Sequence, residues 1–297
     1  MNKGFKIALI IFLSFLFLAF SCAFVVMLSS DKFSLFSFNF DIGENQNLVF
    51  EKEYKNDYSK INVKSTYADV KFLKSEDSDF IVKLYADDDN DFSVVDEKGI
   101  LEINFERKNN DFHFGFNNKC PRIEVYVPSD FAGVIDGEAN VGDFSSESFP
   151  NVNLKVKLTT GDIKVGTFNE IEASTNTGDI KIQNSNKVNV SSSVGDIKIN
   201  NVKFADVNNK TGDIKVVSVD GYINASTNTG DISVDNMNIT KDSSLGSNTG
   251  DIKVGSTNEL YFDAKTNVGD VKINNNFRDA KCIVKVKTNI GDIKINN

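Results

Sequence analysis

The sequence predicts an all-β protein, a parallel β-helix or solenoid with an aromatic-rich N-terminal β cap, preceded by one transmembrane helix. Three observations support this fold class: an apolar segment near the N-terminus, a Gly-Asp pair that recurs nine times, and apolar and polar residues that alternate on both sides of each pair. Alternation is typical of half-buried strands. Recurrence at a period of about 20 residues is typical of a solenoid.

The apolar segment covers residues 7–28 and is interrupted only by Ser14, Ser21 and Cys22. At about 1.5 Å per helical residue it is long enough to cross a hydrocarbon core of about 30 Å. Lys3 and Lys6 precede it, so the positive-inside rule places residues 1–6 in the cytoplasm. We therefore expect a single-pass protein of the cell membrane whose C-terminal domain is extracytoplasmic.

Two other interpretations of this segment stay open. A cleaved signal peptide has an apolar region of about 7–15 residues that ends in small residues, whereas Val25, Val26, Met27 and Leu28 stand at the corresponding place. A lipoprotein would use Cys22, but the bulky Phe20 precedes it closely and the apolar run continues beyond it. The membrane anchor is the interpretation that the sequence favours.

Residues 29–50 form a juxtamembrane linker with the aromatic-rich stretch 33–40, which suits either a membrane surface or a capping strand. Residues 51–141 are predicted to be the N-terminal β region and cap, with alternating runs at 80–84, 100–105 and 123–127. Ala68-Asp69 has the same pattern of flanking residues as the later Gly-Asp pairs, with Ala in place of Gly. The solenoid is therefore expected to begin before the regular repeats.

Residues 142–297 contain the regular repeats, whose glycines are spaced 17 to 22 residues apart. The predicted structural corner residues are Gly142, Gly161, Gly178, Gly195, Gly212, Gly230, Gly250, Gly269 and Gly291. Apolar residues stand an odd number of positions before each Gly and an even number of positions after it. The two alternations are therefore out of phase, and a corner must separate two strands. Gly allows a turn conformation that a Cβ makes costly. Each repeat is thus one coil, and the coils stack about 4.8 Å apart.

Polar columns are expected along the stack. Asparagine stands two residues before the Gly in six of the nine repeats, at Asn140, Asn176, Asn228, Asn248, Asn267 and Asn289. Such amides can bond along the rod. In most coils the Asp of the pair and the Lys two residues later share one side of a strand, which predicts a solvated ion-pair ladder. A calcium array is the alternative, but the nine-residue Gly-rich repeat of calcium-binding β-rolls is absent.

The recurring Thr-Gly-Asp-Ile-Lys-Val units, the Ala68-Asp69-Val70 opener, the segment Ile123–Pro128 and the single anchor together resemble the bacterial "putative adhesin" family, a domain of unknown function. The resemblance covers roughly residues 55–297. It implies a right-handed β-helix outside the cytoplasmic membrane. It carries over no catalytic or binding residue.

Composition and motifs give little support to catalysis or metal binding. The chain has one His, no Trp and three Cys, and its net charge of −9 gives no electrostatic reason to bind nucleic acid. His113 stands among phenylalanines and is interpreted as structural. Residues 87–91 begin like a calcium loop, but Phe92 and Lys98 replace the required Gly and Glu. Cys120 and Cys282 lie many coils apart, so no disulfide between them is expected.

Two function classes remain. The first is a non-catalytic module for cell-envelope interaction or adhesion that presents its polar face to a polysaccharide or protein, without a cofactor. The second is a polysaccharide lyase or hydrolase using carboxylates such as Asp162, Asp179 and Asp196, which short coils without cleft-forming loops make less favourable. An envelope-stress regulatory protein is a further alternative. The final repeat, Thr288–Ile295, has no capping segment after it. We therefore expect this C-terminal coil to be covered, either by self-association with a second copy or by an envelope partner that adds a strand.

Overall fold

The structure is a computed structural model, and it describes residues 47–55, 57–86, 90–107 and 120–297. Within these ranges the chain is an all-β solenoid of right-handed type with about nine turns, which confirms the predicted solenoid. No helix in the same ranges is long and apolar enough to cross a membrane. The predicted anchor at residues 7–28, the aromatic stretch 33–40 and His113 lie outside the described residues.

The strands fall into an N-terminal group and a group formed by the repeats. The first comprises β1 (Leu48–Tyr54), β2 (Lys60–Tyr67), β3 (Asp69–Lys74), β4 (Phe80–Tyr85), β5 (Asn90–Glu97), β6 (Ile100–Arg107), β7 (Arg122–Val127), β8 (Val134–Val141) and β9 (Phe144–Ser146). The second comprises β10 (Phe149–Thr160), β11 (Ile163–Thr177), β12 (Ile180–Val194), β13 (Ile197–Thr211), β14 (Ile214–Thr229), β15 (Ile232–Met237), β16 (Ser243–Thr249), β17 (Ile252–Ser256), β18 (Tyr261–Val268), β19 (Val271–Asn274), β20 (Ile283–Ile290) and β21 (Ile293–Asn296).

Each coil buries alternate side chains on both sides of its corner. In the coil between Gly161 and Gly178, Ile163 and Val165 are buried after the first corner, and Ile171 and Ala173 before the second. The long strands β11 to β14 therefore bend once and contribute to two stacks of parallel strands. We call the strands that follow the corners the post-corner stack and the strands that precede the corners the pre-corner stack.

Backbone pairing orders both stacks. The post-corner stack runs β1–β4–β7–β3–β9–β11–β12–β13–β14–β15–β17–β21–β19. The pre-corner stack runs β5–β6–β2–β8–β10–β11–β12–β13–β14–β16–β20–β18. The corner at Ala68-Asp69 lies directly beneath that at Gly142, so the stack is continuous between the N-terminal strands and the repeats.

Antiparallel strands and aromatic rings lie at the N-terminal end of the rod. Strand β1 pairs antiparallel with β4, β4 with β7, and β5 with β6. The Phe50 and Phe92 rings are 4.9 Å apart, and Phe80 contacts both Tyr58 and Phe131 at 5.4–5.5 Å. Edge-to-face ring pairs of this kind add to the stability gained by burial.

At the C-terminal end, the order of coils in the rod differs from their order in the chain. Strand β20 pairs with β16 on one side and β18 on the other, and β21 likewise lies between β17 and β19. The backbone N–H of Gly250 donates to the Ile290 carbonyl, and that of Gly291 donates to the Val268 carbonyl, both at 2.9 Å. The final repeat is therefore interior, and the coil with the Gly269 corner is outermost.

The expectation that Thr288–Ile295 forms the open end was wrong. It assumed that consecutive repeats stack in chain order. The repeats share one alternation and one corner, so any coil edge can accept any other coil, and the residues between β19 and β20 connect the outermost level to the one beneath it. The side chain of Asn297 donates to the Leu260 carbonyl at 2.8 Å and helps to hold the inserted strand.

Candidate functional site

The corner glycines have a backbone conformation and a close contact that exclude side chains. At all nine Gly-Asp corners φ lies between +130° and +147°, which is costly for residues with a Cβ. A Cβ on Gly195 would lie 2.1 Å from the carbonyl oxygen of Gly178 on the neighbouring coil. The coils are thus in backbone contact at each corner, and the glycines have a structural role.

The corner aspartates form a hydrogen-bonded ladder along the rod. The backbone N–H of every corner aspartate beyond Asp69 donates to the Oδ1 of the aspartate one level nearer the N-terminal end of the rod, at 2.8–2.9 Å. In spatial order the ladder is Asp69, Asp143, Asp162, Asp179, Asp196, Asp213, Asp231, Asp251, Asp292 and Asp270. A carboxylate thereby satisfies a turn N–H that the strands leave free.

This geometry corrects the predicted ion-pair ladder. Among the described lysines that stand two residues after a corner aspartate, only Lys181 forms an ion pair with one, at 3.0 Å from Asp179. The hydrogen bond from the Asp196 N–H and that from Lys181 lower the pKa of Asp179. A general acid needs the opposite shift, so Asp179 does not resemble the acid of a hydrolase.

Buried polar side chains satisfy the glycine carbonyls. Three residues before seven of the nine corner glycines, a hydroxyl or amide donates to the glycine carbonyl of the neighbouring coil at 2.8–3.3 Å. The donors are Thr175, Ser192, Asn209, Thr227, Ser247, Thr288 and Thr266. At these corners the polar side chains hold neighbouring coils together.

A polar groove of about 530 Å³ lies at the bend between the two stacks, and we call it the amide groove. Its lining consists of Pro150, Thr167, Phe168, Asn184, Ser185, Asn186, Asn201, Val202, Lys203, Ser218 and Asp220. The groove crosses several successive coils because the lining residues recur at fixed distances after the corner glycines. Phe168 and Val202 are buried beneath it, whereas amides and one lysine reach the surface.

Hydrogen bonds between coils fix the orientation of the groove amides. Asn201 Nδ2 donates to Asn184 Oδ1 at 2.7 Å, and Asn184 Nδ2 donates to Thr167 Oγ1 at 2.8 Å. In a second row, Asn186 donates to Asn169 at 3.0 Å. An amide side chain has two N–H donors and two acceptor lone pairs. Each bonded amide therefore keeps unused donors or acceptors that can bind a ligand.

An aromatic and lysine cluster adjoins the amide groove. The Phe204 and Tyr222 rings on neighbouring coils are 5.3 Å apart and half-buried. Lys203, which lines the groove, and Lys241 lie 5.4 and 5.3 Å from the Phe204 ring centre. The Tyr222 hydroxyl donates to Asp206 at 2.8 Å, and this bond raises the pKa of Tyr222. The cluster adds apolar ring surface and positive charge to one end of the groove.

A smaller groove of about 290 Å³ lies beside the first corners and includes Asp69, Arg122 and Lys181 in its lining. Burial, together with the nearby Asp69, raises the pKa of the Cys120 thiol to about 12. Cys120 and Cys282 form no disulfide. Within the described ranges no group of three or more His, Cys, Asp or Glu side chains is placed to hold a metal ion.

The predicted asparagine row is present in part, and a second set of amides was not predicted. Four of the six predicted asparagines form a bonded row, in the order Asn228, Asn248, Asn289 and Asn267, at 3.2–3.3 Å. The groove amides were missed, although Asn184 and Asn201 both stand six residues after a corner glycine. Asp91 lies within strand β5, and the rest of the candidate calcium loop, residues 87–89, lies outside the described residues.

Comparison with known proteins finds similar solved structures and one family model. The solved structures that this chain resembles include a "putative adhesin" from Bacteroides fragilis (17% identity, 83% of this chain and 96% of that chain, TM-score 0.38). They also include a "putative cell adhesion protein" from Clostridium sporogenes (12% identity, 83% of this chain and 98% of that chain, TM-score 0.25). A third is a "putative lipid binding protein" from Parabacteroides distasonis (15% identity, 82% of this chain and 96% of that chain, TM-score 0.40). The comparison with curated proteins gave no match.

A family model matches residues 58–296, which is most of the chain and the whole of the stacked rod beyond β1. This match confirms the resemblance inferred from the repeats. The chain belongs to the family described as Toastrack DUF4097.

Proposed function

We propose that this protein is a non-catalytic module of the cell envelope that binds a polysaccharide along the amide groove. The observation that carries the proposal is the row of amides held by hydrogen bonds across successive coils, at 2.7 Å from Asn201 to Asn184 and 2.8 Å from Asn184 to Thr167. Fixed donors and acceptors bind without the entropic cost of ordering side chains.

The chemistry of the groove suits a hydroxyl-rich ligand. A sugar hydroxyl both donates and accepts hydrogen bonds, and amide side chains offer both functions in one group. The half-buried rings of Phe204 and Tyr222 provide apolar surface beside the amides, which suits the C–H faces of sugar rings. Because the groove crosses several coils, it matches an extended polymer better than a small molecule.

The proposed location is outside the cytoplasmic membrane, with residues 7–28 as the anchor. Lys3 and Lys6 before the apolar segment support a cytoplasmic N-terminus. The rod would then present the amide groove to polymers of the cell envelope. The lyase or hydrolase alternative is less well supported, because Asp162, Asp179 and Asp196 lie in one uniform hydrogen-bonded ladder.

The double substitution of Asn186→Ala and Asn201→Ala should weaken polysaccharide binding by about 10-fold or more, since each lost hydrogen bond contributes about 1 kcal/mol. The measurement is a titration of neutral wall and capsule polysaccharides onto the full-length chain in mild detergent, with cleavage assayed in the same samples. Asn189→Ala is the matched control, because Asn189 is exposed on strand β12, as Asn186 is, but lies outside the groove lining.

Three results would contradict the proposal: no polysaccharide binds, the double variant binds as tightly as the parent, or the polymer is cleaved. Cleavage that is lost in Asp179→Asn but kept in the double variant would favour the enzyme alternative.

A further inference from the structure

The lysines that follow the corners form a column on the solvent face of the post-corner stack, and serine interrupts this column twice. Each member stands two residues after a corner aspartate and pairs in register with the members on the adjoining coils. In spatial order the column is Lys71, Ser145, Lys164, Lys181, Lys198, Lys215, Ser233, Lys253, Lys294 and Lys272. Because serine is short, each one leaves a gap between two lysines, and we call these the Ser145 gap and the Ser233 gap.

A carboxylate of the chain itself fills the Ser233 gap. Asp235 stands two residues after Ser233, and its carboxylate lies 3.4 Å from the Lys215 Nζ. The Ser233 hydroxyl donates to the same carboxylate at 3.3 Å. The ladder of corner aspartates runs past this gap as it does along the rest of the rod, so its negative charge does not exclude a carboxylate here.

The Ser145 gap has the same neighbours but lacks such a carboxylate. Ser145 is half-buried and pairs with Lys71 on one side and with Lys164 on the other. The acidic residue two positions later is Glu147, and its carboxylate accepts from the Lys74 N–H at 2.7 Å. Neither Lys71 nor Lys164 forms an ion pair with a residue that the structure describes.

The smaller groove, of about 290 Å³, lies at the Ser145 gap. Ser145, Lys71 and Lys164 all belong to its lining. The other two cations of the lining, Arg122 and Lys181, each lie within 3.0 Å of a carboxylate of the protein. The groove therefore has room for a ligand between two lysines whose charges are not paired.

The acidic residues of the same lining are three corner aspartates, Asp69, Asp143 and Asp162. The Oδ1 atom of each accepts a backbone N–H from the next coil at 2.8–2.9 Å. These hydrogen bonds hold the three carboxylates at the corner, on one side of the groove. The same arrangement beside Asp235 shows that a further carboxylate can lie next to the ladder.

We propose that the Ser145 gap binds a carboxylate from outside the protein, in the way that the Ser233 gap holds Asp235. The Ser145 hydroxyl would donate one hydrogen bond, and the ammonium groups of Lys71 and Lys164 would approach from the adjoining coils. Hydrogen bonds from ammonium to carboxylate are stronger than those between neutral groups. The lining shares no residue with that of the amide groove, so this inference does not depend on the proposed function.

The experiment is calorimetric titration of trigalacturonate, and separately of its uncharged methyl ester, onto the full-length chain in mild detergent at constant ionic strength. The parent should bind the acid about 10-fold more tightly than the ester, because the ester cannot form the charged hydrogen bonds. Lys164→Gln should remove this preference. Lys253→Gln is the matched control, because Lys253 borders the filled Ser233 gap, and it should keep the preference.

A second pair of variants separates the gap from general attraction to positive charge. Ser145→Leu fills the gap without changing the charge and should weaken binding of the acid about 10-fold. Ser233→Leu makes the same change at the filled gap and should bind as the parent does. The double variant Asn186→Ala and Asn201→Ala should keep the preference for the acid, which distinguishes a failure of this inference from a failure of the amide-groove proposal.

Three results would overturn the inference: the parent binds acid and ester equally, Ser145→Leu binds the acid as tightly as the parent, or Ser233→Leu loses as much as Ser145→Leu. Far-UV circular dichroism checks that each variant is folded. Sodium acetate, added as a competitor at constant ionic strength, distinguishes two sources of the carboxylate. Displacement of trigalacturonate assigns the gap to a free carboxylate, and retention assigns it to one carried on a sugar chain.

Discussion

Replacing Gly195 with Val is expected to destabilise the rod by more than about 4 kcal/mol, which is exceptional for a single substitution. The positive φ of +139° alone costs a β-branched residue about 1–2 kcal/mol or more. The added Cβ would lie 2.1 Å from the Gly178 carbonyl oxygen, and backbone cannot move aside as a flexible side chain can. Relief requires these two coils to separate, which weakens the hydrogen bond from the Gly178 N–H to the Val194 carbonyl, 2.9 Å.

The measurement is denaturant unfolding followed by far-UV circular dichroism. Gly246→Val is a matched control, because φ there is not positive and a Cβ on Gly246 comes no closer than 3.9 Å to the nearest atom. Asp196→Ala should lie between the two, at about 1–3 kcal/mol, because it leaves the Asp213 N–H without its carboxylate partner. Equal unfolding midpoints for Gly195→Val and Gly246→Val would show that Gly195 is not at a close-packed corner.

Ile293→Pro is expected to cost about 3 kcal/mol or more, because Pro in the middle of a sheet removes a ladder hydrogen bond. Ile293 is buried, its N–H donates to the Asp270 carbonyl at 2.9 Å, and β21 has a paired strand on each side. The effect should be confined to the last coils, since those nearer the N-terminal end pair with one another.

Ile273→Pro in β19 is the matched comparison. The alternation that directs the Asp270 and Asn274 carbonyls to β21 points the Ile273 N–H to the open side, where Pro is tolerated. Thermal unfolding of both variants, with hydrogen exchange to locate the change, checks the prediction. A larger loss for Ile273→Pro than for Ile293→Pro would mean that the coils stack in chain order and that β21 is the edge.

The repeat made much of the fold predictable from sequence. A Gly-Asp pair with apolar residues at odd positions before it and even positions after it requires a corner between two half-buried strands. Coils of about 17 residues are too short to bury a face alone, so stacking follows. Ala68-Asp69 could be recognised by the same frame, and the structure places it directly beneath Gly142.

The position of the final coil could not be predicted, for a physical reason. Near-identical repeats offer near-identical edges, so the pattern that identifies the coils does not distinguish their neighbours. The insertion of β20 between β16 and β18 depends on the lengths of the connections and on contacts such as Asn297 with Leu260. The periodicity of the sequence specifies neither the connection lengths nor these contacts.

The candidate site was less predictable than the fold. The Asp column was visible, but its charge suggested ion pairs, whereas the unpaired N–H at each corner attracts the carboxylate along the rod. The amide groove has a weaker signal, because Thr167, Asn184, Asn201 and Ser218 share an offset from the corner but not a residue type. Comparing residues at a fixed offset after each Gly would have found it.

The amide groove on the side of the rod depends on which coils are neighbours. Disulfide formation between engineered cysteines tests this order most directly. Neighbouring strands lie about 4.8 Å apart, within the limit of about 7 Å between Cα atoms, whereas strands two levels apart exceed it. Thr249 pairs with Ile290, and Ile290 pairs with Val268.

The cysteine pairs to compare are Thr249→Cys with Ile290→Cys, and Thr249→Cys with Val268→Cys, in the full-length chain under mild oxidation. Mass spectrometry of proteolytic peptides separates the engineered bond from any bond to Cys22, Cys120 or Cys282. The observed stacking predicts a disulfide between positions 249 and 290 and none between 249 and 268. A disulfide between 249 and 268, with none between 249 and 290, would show that the coils follow chain order and would contradict the structure described above.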